Sequence, residues 1–291
     1  MVNDDLDRTP PRETPADGSR EDTGTAGIVG AGADTTDPVA VTWCPLCGSA
    51  VVYDRTVEGR VLEFGVSGKL ADDDLVLYDR QTESEWKQSS GEAIAGSLAG
   101  ASLSVRPSTV LPWRRFREVH PEGVVLRPPG GESEAAGAGD EPEPVGYDDA
   151  PYADYLAGEG FGLAAHRGEG SRKWDRADLA PKAVVLGVEC DGEAVGFPLP
   201  RVRAAGGVVQ TTVGGHAVLV IATERAGIHG YADPGYEFDL PDATLVADGT
   251  TWDPTTGRAT DGRQLERLAT RRLFAFAWQD DHGPDAFHLD V

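Results

Sequence analysis

A recurring pattern of short apolar runs, rich in β-branched residues and broken by turn dipeptides, restricts the fold of this chain more than any other feature. Residues 184–189 and 194–197 flank Asp191 and Gly192. Asp-Gly between two such runs is a strong signal for a two-residue hairpin, because both central residues then take positive φ. Residues 48–53 and 61–66 form a similar pair around Glu58 and Gly59. Aromatic, helix-compatible stretches close the two compact regions, at 112–120 and 271–281; in the first, Trp113, Phe116 and Val119 share one face at helical spacing. The fold class expected is mainly β with small helical segments.

The pattern occurs twice. The spacing W-x4-G-x-A-x2-G appears at Trp86, Gly91, Ala93 and Gly96, and again at Trp252, Gly257, Ala259 and Gly262. The flanks agree: Glu63-Phe64 and Glu237-Phe238 precede it, a Leu-rich stretch follows it, and His120-Pro121 and His282-Gly283-Pro284 end the two copies. Two tandem related β-rich units are therefore predicted, repeat 1 over 39–127 and repeat 2 over 181–291. Residues 1–38 read as an acidic low-complexity segment and 128–180 as an acidic linker and connection, since their acidic stretches carry few large side chains to bury. A hairpin at 184–199 and 201–215 leads the second unit and is missing from the first. Met1, Val2 and Asn3 would fall opposite Val208, Val209 and Gln210. The expectation is that Met1 is an internal methionine and that the gene begins upstream.

Charge narrows the function classes. The chain of 291 residues carries 49 acidic against 26 basic side chains, a formal net charge of -23, with lysine only at Lys69, Lys87, Lys173 and Lys182. Such a surface repels nucleic acid and anionic membranes, and no partner of either kind is expected. Acid excess spread over the whole chain fits a halophilic protein kept soluble in concentrated salt, which should fold poorly in dilute buffer. No run of apolar residues is long enough for a membrane span, and the first forty residues lack a signal-peptide core, so the chain as written is expected in the cytoplasm. An upstream natural start would reopen export.

Chemistry is written in one place. Cys44 and Cys47 form a CxxC pair inside Trp43-Cys44-Pro45-Leu46-Cys47-Gly48. A two-residue gap lets both sulfurs face one ion, which supplies half of a tetrahedral zinc site or the two thiolates of a copper(I) site. Cys190, His216 and His229 are candidates to complete it. Thiol redox is the rival, although the pair runs from strand to strand with no helix to lower a thiol pKa. The third reading is a reduced pair packed beside Trp43. At the matching place the second copy carries Thr223 and Ala226 or their neighbours. Tyr78, Asp79, Arg80, Glu83 and Trp86 outline a candidate cleft, with Asp79 as a base and Arg80 as an anion clamp. The same D-R-x-T-E-S stretch also suits a structural turn, and Trp86 and Trp252 suit core anchors. His120 and His282 read as helix-end residues. Neither Gly65–Gly68 nor Gly91–Gly96 has the strand-to-helix setting of a nucleotide loop, and no GxSxG or HExxH is present.

Five segments carry a family resemblance: 41–54 (VTWCPLCGSAVVYD), 64–68 (FGVSG), 75–86 (LVLYDRQTESEW), 91–96 (GEAIAG) and 107–109 (PST). They resemble the uncharacterised prokaryotic, haloarchaeal-type family called domain of unknown function 3179, across most of 39–127; residues 183–198 and 216–291 resemble its second half. The resemblance implies a leading Trp-His-Glu-containing stretch, of which Met1, Val2, Asn3 and Asp4 look like the last part. A Cys, Cys, His site is then implied with the upstream histidine restored. Many relatives look exported, and the family brings no established activity. The reading is a metal-binding protein using zinc or copper, against a thiol- or metal-dependent enzyme using Cys44, Cys47, Asp79 and Arg80, or a non-catalytic scaffold.

Overall fold

The computed structural model describes residues 37–126, 151–224 and 227–288. Of the segments predicted as acidic low complexity and as acidic linker and connection, residues 1–36 and 128–150 lie outside the described residues, as does Ala226. In chain order the first half contains β1 (Val39–Cys44), β2 (Ser49–Asp54), β3 (Thr56–Val57), β4 (Arg60–Val61), β5 (Phe64–Ala71), β6 (Asp74–Asp79), β7 (Glu85–Lys87), β8 (Ala93–Ala95) and the helix α1 (Trp113–Val119). Two short helices follow, α2 (Ala153–Ala157) and α3 (Gly162–His166). The second half contains β9 (Val184–Cys190), β10 (Glu193–Pro198), α4 (Leu199–Ala204), β11 (Val208–Val213), β12 (His216–Thr223), β13 (Gly227–Ala232), β14 (Leu245–Ala247), β15 (Thr250–Trp252), β16 (Thr270–Phe274) and α5 (Ala275–His282). The fold is mainly β, with antiparallel sheets and few helices. Among the described residues no helix is long and apolar enough to cross a membrane.

The central sheet has the order β1-β2-β16-β9-β10, so it takes strands from both halves. Arg272 sits where they meet, with Ala50 of β2 on one side and Leu186 of β9 on the other. Beside this sheet stand a four-stranded sheet, β5-β6-β7-β8, and a three-stranded one, β11-β12-β13. Burial follows the period of two that strands impose: in β2, Ser49, Val51 and Tyr53 are buried while Ala50, Val52 and Asp54 are half-buried.

The hairpin at Asp191-Gly192 forms as the sequence indicates, with φ of 45° and 83° and β9 paired to β10. The pair expected around Glu58-Gly59 differs. Only β3 and β4 pair across that turn, while β2 pairs with β1 across Pro45–Gly48. Glu58 and Gly59 have the positive φ that the turn needs, but the longer apolar runs find larger sheets to join. The stretch 271–281 is likewise half strand and half helix, because β16 completes the central sheet before α5 begins.

A tryptophan and a tyrosine anchor a separate core in each half. Trp86 and Tyr53 pack with Val51, Leu62 and Leu77; Trp252 and Tyr231 pack with Leu219, Ile221 and Phe238. The Tyr53 hydroxyl donates to the carbonyls of Gln88 and Ser89 at 2.9 and 3.0 Å. That of Tyr231 donates to those of Pro254 and Thr255, both at 2.9 Å.

Candidate metal centre

The site begins with a turn. β1 and β2 are in register from Val39 opposite Asp54 to Cys44 opposite Ser49, which leaves Pro45–Gly48 to close the hairpin. Gly48 has φ +62°, and a Cβ there would stand 2.7 Å from the Phe274 ring, so only glycine lets that ring close on the turn. The Phe274 amide donates to the Cys47 carbonyl at 2.7 Å. Cys44 and Cys47 are both reduced and buried, in one apolar cluster with Tyr155, Phe161, Phe276 and Trp278. Trp43 points away and is about half exposed, so it does not pack with them.

The third member comes from another sheet. Asp72 and Asp73 form the β5–β6 turn with φ of 53° and 62°, a conformation that aspartate tolerates better than most residues, and this delivers Asp74 as the buried first residue of β6. The ligand atoms of Cys44, Cys47 and Asp74 all lie within 4.8 Å of one another. The Cys47 thiol donates to Asp74 Oδ1 at 2.9 Å, and Ser49 Oγ lies 3.2 Å from the same sulfur. Asp74 also accepts the amides of Leu75 at 2.8 Å and Ser89 at 2.6 Å. Ser49 donates to Gln88 Oε1, and Gln88 Nε2 donates to Thr42 Oγ1 at 2.7 Å. Lys87 and Ser89 both bind Asp281 of α5, at 2.7 and 2.9 Å.

Protons are divided unequally. Burial, then the bond to Cys44, pushes the Cys47 thiol well up. The bond from Cys47 draws Cys44 down against its own burial, helped by the backbone amides of Cys47 and Leu75. Burial raises Asp74 in spite of its donors. Cys44 is thus the sulfur that ionises first, and Cys47 is the one that keeps its proton.

Residues 152–174, part of the stretch read as a connection, cover this cluster. The Tyr155 hydroxyl donates to the Leu46 carbonyl at 2.6 Å and accepts the Gly162 amide at 3.1 Å. Asp73 Oδ1 accepts the Leu163 amide at 2.9 Å, and Arg172 grips Asp280 with two bonds of 2.7 and 2.8 Å. Both turns of the site are therefore held by the same short helical segment.

The remaining candidates lie elsewhere. His216 pairs with Asp191 at 2.9 Å, the His229 ring sits 2.8 Å from Thr109 Oγ1, and Cys190 is half-buried beside Gly214. None of them belongs to the cysteine cluster. Asp79 is fully buried and accepts from the Thr82 amide, the Thr82 hydroxyl and the Trp86 indole at 2.6, 2.7 and 3.0 Å. Trp86 is a core residue, Tyr78 is half-buried and Arg80 and Glu83 are exposed. Asp79 thus holds its own turn and Trp86 lies in the core, while Arg80 stands over the Tyr78 ring at 5.8 Å. His120 ends α1, its amide on Phe116 O at 2.8 Å, and His282 ends α5 against the Trp278 ring.

A family model covers residues 27–286, which include the turn, Asp74 and the covering helices. The chain belongs to that family. It is described as protein of unknown function (DUF3179). No curated protein and no solved structure matches the chain. Membership therefore brings no reaction.

Proposed function

We propose that the protein binds a metal ion through Cys44, Cys47 and Asp74, and that zinc suits the site better than copper(I). The observation that carries this reading is the grouping of two sulfurs and a carboxylate oxygen, all buried, within 4.8 Å. Donor atoms around a tetrahedral zinc stand roughly 3.6–3.8 Å apart, within the spread of the cluster. Two thiolates with one carboxylate match a borderline ion, whereas copper(I) prefers sulfur alone. Amide donors to Cys44 and Asp74 favour their charged forms, the forms that ligate. A bound zinc would neutralise charge that is otherwise confined in an apolar pocket, and three protein donors leave a fourth position for a water or for a residue outside those described.

The thiol-redox reading has one observation in its favour, the lowered Cys44. Against it stands burial, since an attacking thiolate must reach its partner. The matched Trp-Tyr cores support reading the two halves as related units, of which only the first keeps the cysteines.

Metal content per chain, measured after anaerobic purification in multimolar salt, tests the proposal. Stoichiometric zinc in the wild type, lost in Cys44→Ser, Cys47→Ser and Asp74→Asn, is the expected result. Metal-free wild type with two unreactive thiols would assign the pair to packing. Thiols that cycle with a defined reduction potential would move the function to redox chemistry.

A further inference from the structure

Where the two halves meet, a recess is lined by two arginines and several hydroxyls but by no carboxylate. Ser108 and Thr109 come from the segment ahead of α1, His229 from β13, Thr270 and Arg272 from β16, and Arg267 from just before it. The space is about 20 Å³, room for one water-sized group. Ser108, Thr109 and Arg267 also line a broad cleft of about 1140 Å³ between α1 and residues 243–267, so the recess adjoins that cleft.

In a chain with 49 acidic and 26 basic residues, arginines should find acids easily. Arg115, Arg172, Arg176 and Arg201 do. Among the described residues Arg272 and Arg267 form no ion pair. Arg272 gives one N–H to the Gly48 carbonyl at 3.1 Å, and burial alone pulls its guanidinium below the ordinary value. Arg267 donates to the Tyr231 hydroxyl at 2.9 Å and to the Thr255 carbonyl. A guanidinium removed from water without a counter-charge is costly, and each of these keeps donors to spare from its five N–H groups. The cleft outside adds to the imbalance. Arg115, Arg258 and Arg267 line it against Glu118 and Asp253, and Arg115 binds both of those carboxylates.

We propose that the recess takes one oxygen of the anionic end group, a carboxylate or a phosphate, of a small organic molecule whose body lies in the cleft. The paired donors of arginine match an oxyanion, and the hydroxyls of Ser108, Thr109 and Thr270 add neutral donors around it. Because Arg272 also holds the Gly48 carbonyl, the anion would sit on the far side of the residue that follows Cys47. The inference stands whether or not the cysteines hold an ion.

Titration of inorganic phosphate, and separately of acetate, into the full-length protein tests it, with the thermal unfolding midpoint as readout and chloride balancing the ionic strength. A saturable rise is expected with at least one of the two, since an oxyanion site must prefer its ligand to chloride. Arg272→Gln should weaken the apparent affinity by about tenfold or more, the size expected for bonds to a charged group. Arg60→Gln, on the exposed strand β4, should leave it unchanged. Response to phosphate alone points to a phosphorylated ligand, and response to acetate to a carboxylate. Should Arg272→Gln not fold, the double variant Ser108→Ala, Thr109→Ala serves, with several-fold weakening expected. No saturable rise with either anion, or a rise undiminished in the recess variants, overturns the proposal.

Discussion

Asp74 decides what the cysteine turn can do, and its titration gives the clearest signature. Burial raises its pKa above the ordinary carboxylate value. Between the unfolded and folded values the native state therefore binds more protons than the unfolded chain, and stability falls as pH rises through that window. Denaturant unfolding of the metal-free protein across the acid range should show this fall in the wild type and a flatter profile in Asp74→Asn. Zinc binding works on the same protons. Loading an ion must expel the Cys47 proton, which burial holds in place, so affinity should drop as pH is lowered. Calorimetry in buffers of different ionisation heat should record about one to two protons released per ion near neutral pH. Little of this was visible in the sequence. The CxxC pair announces itself by spacing, but Asp74 lies far along the chain and joins it only because the β5–β6 turn packs against the β1–β2 turn. No local pattern encodes that meeting. Asp79 carries the more suggestive motif, and its three donors come from Thr82 of its own turn and from the Trp86 indole in the core.

Elements position those residues, and the clearest lever is the covering pair α2 and α3. Tyr155→Phe removes the donor to the Leu46 carbonyl and leaves that buried acceptor unmatched, a loss of about 1–2 kcal/mol. If the loss falls on local opening of the cover, thiol labelling of Cys44 and Cys47 in the metal-free protein should quicken by about 5–30-fold, while the global unfolding midpoint moves less. The paired cores give a second test. Gly91 and Gly257 have φ of +70° and +72°, and a Cβ would come within 2.6 Å of the Tyr53 ring in one case and 2.7 Å of the Tyr231 ring in the other. Gly91→Ala and Gly257→Ala should each cost about 2–4 kcal/mol in denaturant unfolding, from left-handed strain together with overpacking. Strand character and the Asp191-Gly192 hairpin were legible because period-two burial and turn chemistry are local. The pairing of β2 with β1 and the strand at the start of 271–281 were not, since both depend on which distant edges compete for a run. The covering role of 152–174 escaped for a related reason: short helices without a long apolar face look like linker until the surface they cover is known.

At the scale of the whole molecule, a charge of -23 must be reconciled with a fold whose central sheet joins both halves. Ion pairs among the described residues tie distant segments together: Arg172 to Asp280, Lys87 to Asp281, Arg115 to Asp253. They use only a fraction of the acids among the described residues, and the others there repel one another across a folded surface more strongly than in an expanded chain. The Debye length falls from about 8 Å at physiological salt to about 3 Å at 1 M, so salt should remove most of that repulsion before it weakens the half-buried pairs. The thermal midpoint is accordingly expected to rise by about 5–10 °C between 0.15 and 1 M potassium chloride, equivalent to about 3–6 kcal/mol for a chain of this size. Further salt should add less, because screening saturates. Sodium chloride should match potassium chloride at equal ionic strength if the effect is screening, whereas a continued steep rise in sulfate alone would assign it to strengthened apolar burial. A midpoint that stays level or falls over the first molar of either chloride would show that the acidic surface is no burden on this fold, and the halophilic reading would go with it.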